Sequence, residues 1–134
     1  MYSFSEKSLE RLSTCDEKLQ KVALLAIMLS EVDFGISEGY RSPARQKMLY
    51  AKGRTAEGDI VTYIDGVKKK GKHNYKPSKA FDVYAYVNGR VSWEKKYYDQ
   101  INEAIQEAAD TFGIIVYWGG EWITFKDYPH FEID

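Results

Sequence analysis

The chain has 134 residues, of which 44% are hydrophobic and 29% charged, with a formal net charge of -1. That is the size and balance of one globular domain, and it excludes a disordered or fibrous chain. The near-neutral charge gives no general pull towards nucleic acid or an anionic membrane, and the single cysteine, Cys15, excludes an internal disulfide.

Taken in order, residues 1–6 lack the basic and apolar regions of a signal peptide. No apolar run reaches membrane-spanning length either, so the chain is expected to remain in the cytoplasm where it is made. Ser5 can cap a short helix to Leu12, and Asp16 a stronger one to Ser30 in which Leu19, Val22, Ala23, Ala26 and Leu29 recur at helical spacing. Leu24, Leu25, Ile27 and Met28 widen that stripe, which predicts burial on most sides. Residues 34–38 read as a strand running into Gly39-Tyr40-Arg41-Ser42-Pro43. Ser42 and Pro43 then open a helix that Gly53 stops, and Arg41 falls at the strand-to-helix junction.

A short strand is expected over Ile60–Ile64, turning at Asp65-Gly66. The basic run Lys68-Lys69-Lys70 with Lys72 reads first as a solvated loop, ahead of phosphate or wall-polymer binding. Asn88-Gly89 is the clearest hairpin signal, joining strands at 81–87 and 90–93. In the first of these Phe81, Val83, Ala85 and Val87 share one face, and Asp82, Tyr84 and Tyr86 the other. A helix should run from Ser92 or Trp93 to Phe112, with Gly113 as its stop and Tyr98, Ile101, Ile105, Ala108 and Phe112 on its packing face. Residues 114–118 read as a central strand, and His130–Ile133 as the last one. The pattern predicts one α+β domain over 1–134, with helices packed on one side of a small, mostly antiparallel sheet.

The chemistry concentrates in two stretches, 73–82 and 127–132. They hold both histidines, His73 and His130, and the acids Asp82 and Asp127. Two imidazoles and a carboxylate make the ligand set of a catalytic zinc site, and a further acid can serve as its base. Spacing alone leaves the acids balanced between that role and ordinary turn positions.

These residues resemble the zinc peptidase family that includes D-Ala-D-Ala carboxypeptidases and dipeptidases and phage L-alanyl-D-glutamate endopeptidases. Lys72-His73 with Ala80-Phe81-Asp82 is similar to the first half of its signature, and Asp127-Tyr128-Pro129-His130 to the second. Gly39-Tyr40-Arg41-Ser42 with Gln46 resembles its arginine motif, and Trp118-Gly119-Gly120-Glu121-Trp122 its lead-in to the last ligand. The chain departs from the pattern at Gly71, where the family has Ser. It departs again at Lys76-Pro77-Ser78, which lengthens the loop between His73 and Asp82.

The resemblance implies a hedgehog-like zinc fold with His73, Asp82 and His130 as ligands to Zn2+, and Asp127 as the base for the attacking water. It implies that Arg41 stabilises an oxyanion or grips a substrate carboxylate. Gln46, Trp122 and Tyr84 would contact substrate, Glu132 would support a ligand from behind, and Trp118 is assigned to the core. The implied partner is the peptidoglycan stem peptide, cut between L-Ala and D-Glu by a monomeric phage or prophage endolysin. Such an enzyme, lacking an export signal, would reach the wall after holin-type release, with no nucleic-acid partner and no stable membrane association. The alternatives are a D-Ala-D-Ala carboxypeptidase or dipeptidase, and a non-catalytic zinc-containing binding domain on the same scaffold.

Overall fold

Among the described residues, three of the four α-helices begin where a short polar side chain can take up their first free amides. In the computed structural model, which describes residues 1–60, 62, 64 and 70–134, Ser5 accepts from Ser8 N–H at the head of α1 (Glu6–Leu12). Asp16 accepts from Lys18 N–H before α2 (Glu17–Leu29), and Ser42 from Arg45 N–H before α3 (Pro43–Ala51). The fourth, α4 (Lys95–Phe112), has no such side-chain bond at Glu94 and ends on Gly113 in the left-handed region, φ 68°. It starts later than expected because Ser92 ends a strand and Trp93 stacks on the Tyr98 ring at 6.0 Å.

Among the described residues, five strands form one sheet: β1 (Asp33–Glu38), β2 (Ala80–Val87), β3 (Arg90–Ser92), β4 (Tyr117–Trp118) and β5 (His130–Glu132). Every pairing is antiparallel. β2 is the axis of the sheet. β1 lies along one side of it, while β3 and β5 share the other, with β4 beyond β5. The β2–β3 turn uses Asn88 at φ 52° and Gly89 at φ 76°, the conformation that favours this pair of residues.

The core lies between one face of this sheet and α1, α2 and α4. Phe34, Ile36, Phe81, Val83, Ala85 and Phe131 meet Leu19, Val22 and Ala26 of α2 and Ile101, Ile105 and Ala108 of α4, all at most 2% exposed. Tyr98 contributes its ring to the core and its hydroxyl to the sheet. It accepts from Ala85 N–H at 3.1 Å and donates to Ser92 C=O at 2.7 Å. Tyr98→Phe is expected to lower unfolding free energy by about 1–3 kcal/mol in a denaturant titration, because both backbone groups lose a buried partner. An unchanged midpoint would contradict that.

Four expectations are corrected. Residues 114–118 do not form a central strand, and only Tyr117 and Trp118 pair, at the sheet edge. Ile114 N–H instead donates to Ala109 C=O and Val116 C=O accepts from Gln106, so the end of α4 takes these backbone groups first. α2 is not buried on most sides: Leu24, Met28 and Leu29 are 41–49% exposed. Phe112, in the last turn of α4, is exposed rather than packed. Ile60, Thr62 and Ile64 are not in a strand, since Gln46 takes Ile64 C=O and the Thr62 hydroxyl. The Asp65-Gly66 turn and Lys68-Lys69 lie outside the described residues.

Candidate active site

The sheet face opposite the core carries the site. Register sets Asp82 on β2 directly across from His130 on β5, while their neighbours Phe81 and Phe131 pair inwards. Glu132, two residues beyond His130, returns to the same face. On the other side of β2 the pairing jumps from Ile36↔Val83 to Glu38↔Asp82, leaving Ser37 unpaired. This bulge aims Glu38 at the site as well.

His73 comes from a 3-10 turn, Lys72–Asn74, rather than from the sheet. A network of buried bonds holds it. Arg41 N–H donates to His73 C=O at 2.7 Å, and the Asn74 amide donates to Arg41 C=O while accepting from Gly71 N–H, both at 2.9 Å. Asn74 thus braces the loop at which Gly71 offers no hydroxyl. The longer loop that follows is pinned by fully buried Ser78. Its hydroxyl donates to Ala80 C=O, and its backbone pairs with Thr14 and Asp16 in the α1–α2 turn. Asp127 is anchored through Gly119, whose C=O accepts Asp127 N–H at 3.0 Å. Gly119 has to be glycine here: a Cβ would collide with Asp127 C=O.

At the centre, Asp82 Oδ1 lies 3.1 Å from His73 Nε2 and 3.1 Å from His130 Nδ1. One donor atom from each of the three residues falls within 4.8 Å of the others, so together they could hold a metal ion. The remaining ring nitrogens are engaged from behind, His73 Nδ1 by Gly39 C=O at 2.8 Å and His130 Nε2 by Glu132 at 2.8 Å. An outer acceptor on each ring orients it so that the other nitrogen faces inwards, as a metal ligand requires. Glu132→Ala is therefore expected to weaken cation binding by roughly 10–100-fold, measured by competition with a chelating dye. Unchanged affinity would remove Glu132 from the site.

Charge in the site is strongly biased. Burial opposes ionisation of Asp82, yet the two imidazoles outweigh it and hold its carboxyl well below the usual carboxylate range. Burial alone would lower the pKa of His130, but the Asp82 and Glu132 carboxylates push it up to about 9. Asp127 moves the other way from Asp82. Burial first, and the Asp82 charge second, raise its pKa, which is the direction that suits a group accepting and returning a proton.

The other expected residues divide. Trp122 borders the cleft, with its ring 5.0 Å from that of His130. Arg41 also borders it, but its fork is engaged: Nε and Nη2 donate to Glu38 at 2.9 and 2.8 Å, and Nη1 donates to Gln46 at 2.9 Å. Nη2 also lies 3.5 Å from Asp82. Gln46 is 2% exposed and ties Arg41 to residues 62 and 64. It holds the wall of the cleft rather than presenting a free amide. Tyr84 does not border the cleft and instead covers Gly35 of β1, where a Cβ would meet its ring. Trp118 packs in the core and donates to Tyr128 C=O. Sequence reasoning misses Glu38, Asn74 and Ser78, because the bulge at Ser37 and the bonds of Asn74 to Arg41 and of Ser78 to Gly39 leave no local mark.

The cleft over these residues has a volume of about 660 Å³, within the range of small-molecule and peptide sites.

The chain is similar to known proteins over most of its length. The family model described as phage L-alanyl-D-glutamate peptidase matches residues 1–134. The chain is 38% identical over 107 residues to the peptidoglycan L-alanyl-D-glutamate endopeptidase CwlK of Bacillus subtilis (strain 168), covering 76% of this chain and 61% of that protein. It is 29% identical over 133 residues to the L-alanyl-D-glutamate peptidase of Escherichia phage T5, covering 98% and 89%. Among solved structures, the Serratia marcescens L-Ala D-Glu endopeptidase ChiX superposes with a TM-score of 0.78 at 38% identity, over 98% of this chain and 90% of that one. The chain spans about three-fifths of the Bacillus relative's length.

Proposed function

The chain belongs to the phage L-alanyl-D-glutamate peptidase family, and we propose that it hydrolyses the amide between L-Ala and D-Glu in the peptidoglycan stem peptide as a Zn2+-dependent endopeptidase. One observation carries the reading. Two imidazoles and a carboxylate converge at the base of an open cleft, each imidazole is oriented from behind, and a second carboxyl, with a raised pKa, borders the same cleft.

This donor set fits zinc with a position left for substrate or water, and His73, Asp82 and His130 would hold the ion. Zn2+ there would supply Lewis acidity, which polarises the scissile carbonyl and lets water attack near neutral pH. Asp127 takes the proton of that water on its carboxylate and returns it to the D-Glu amine as the amide to L-Ala breaks. Glu132 and Gly39 C=O keep the two imidazoles turned inwards, and Arg41 sets the position of Asp82 from the opposite side. Trp122, beside His130, forms an apolar wall for the peptide.

No helix among the described residues is long and apolar enough to cross a membrane. We assign the protein the role of a phage or prophage endolysin, acting as a monomer on the wall after release through a membrane pore. Mass spectrometry of stem peptides incubated with the protein, with and without a chelator, tests the activity. The expected result is a chelator-sensitive fragment beginning at D-Glu. Loss of one terminal D-Ala would instead identify a carboxypeptidase.

A further inference from the structure

Among the described residues, three permanent cations line the cleft: Arg41, Lys70 and Lys72. Arg41 is committed to Glu38, Gln46 and Asp82. Swinging it onto a substrate would leave the half-buried Glu38 carboxylate without its bidentate partner, a costly exchange. Lys70 and Lys72 have no carboxylate partner among the described residues. Lys70 Nζ stands 4.6 Å from the Tyr75 ring centroid, and Lys79 Nζ approaches the same ring at 4.8 Å. Tyr75 thus gathers ammonium groups at the lip of the cleft. Lys72 directly precedes His73 in the same turn, and its C=O accepts Lys79 N–H at 3.0 Å, so its backbone is fixed relative to the metal-ligand set.

Glu38 and Asp82 are already matched by Arg41 and the two imidazoles, whereas Lys70 and Lys72 line the same cleft with no carboxylate of their own among the described residues. These ammonium groups offer an incoming anion its charge complement. A stem peptide cut between L-Ala and D-Glu brings an anion to that neighbourhood. D-Glu is joined onward through its side-chain carboxyl, so its α-carboxylate is free and sits one carbon from the scissile nitrogen.

Resting on the endopeptidase reading above, we propose that Lys72, assisted by Lys70, pairs with the α-carboxylate of D-Glu. The protein would thereby distinguish stem peptides that carry an acid at this position from those that carry an amide. A charge-assisted hydrogen bond to the ammonium favours the acid, and the neutral carboxamide offers only a weaker acceptor.

The test compares kcat and KM on two synthetic stem peptides that differ only in an α-carboxylate or an α-carboxamide on D-Glu. The unaltered chain should cleave the acid with about tenfold higher kcat/KM, mostly through KM, and the advantage should shrink at high salt. In the K70M/K72M double variant the advantage should fall to within about twofold, with the metal content unchanged. K72R should keep it, since the charge remains. Equal cleavage of both peptides by the unaltered chain, or full preference retained by K70M/K72M, would overturn the proposal while leaving the endopeptidase reading intact. Cleavage of neither peptide would overturn both.

Discussion

The Asp127→Ala protein should bind its metal ion as tightly as the unaltered chain, yet hydrolyse the stem peptide about 10²–10⁴ times more slowly, the range general acid–base groups supply. Asp127 is not one of the three converging donors, so its side chain can be removed without opening the metal site. Its backbone is held independently, through Gly119 C=O on one side and His130 N–H on the other, so the loop should keep its path. What disappears is a carboxyl raised in pKa by burial and by the Asp82 charge, beside the place where water must lose a proton. Asp127→Asn should behave alike, because the amide keeps the shape and not the basicity. The check is kcat on a defined stem peptide together with metal content by elemental analysis. An unchanged kcat would mean that another group is the base, and loss of metal would mean that Asp127 belongs to the ligand shell.

Asp82→Asn acts on the other half of the site and should abolish both metal binding and hydrolysis. Among the described residues, Asp82 is the one group that touches both histidines and Arg41. Its removal leaves three buried or half-buried cationic or polar partners facing each other. Breaking such a pair costs about 3–5 kcal/mol of stability, so the chelator-treated variant should also unfold more easily than the chelator-treated unaltered chain. The size of that cost depends on pH in a definite way. His130 has a raised pKa, so its pairing contributes fully below its ordinary value of 6.5 and is lost as pH rises through about 9. Asp82 has a lowered pKa, so its contribution is full above its ordinary value of 3.8 and is lost in strong acid. The stability difference should be widest between those two ordinary values and narrow by pH 9. Unfolding curves of both proteins with chelator at pH 5, 7 and 9 would show this, and a difference independent of pH would contradict it.

Much of this arrangement is legible before any coordinates, and the parts that are not share a cause. Ser5, Asp16 and Ser42 mark helix starts because a cap acts within three residues of itself. Asn88-Gly89 marks the hairpin because both residues tolerate positive φ. Alternation over 81–87 puts Asp82 on the face opposite Phe81 and Val83, which is where it lies. Tyr84 shares that face but is drawn over Gly35 on the neighbouring strand, a contact that alternation cannot foresee. Residues 114–118 are rich in strand formers, yet the end of α4 claims their backbone. Arg41 and Gln46 can be placed beside the site by sequence order. That they bond each other and Glu38, rather than standing free for substrate, depends on the bulge at Ser37 and on residues 62 and 64. Local chemistry sets the elements, and hydrogen bonds that depend on how those elements are placed decide which polar groups remain available.

The most direct test of the central claim is a titration of metal-stripped protein with Zn2+, following stem-peptide cleavage and bound metal together. Cleavage should start near zero, rise in proportion to bound zinc and level off at one ion per chain, with the cut between L-Ala and D-Glu throughout. Full activity in the stripped protein, or zinc bound at one equivalent with no cleavage at that bond, would contradict the account.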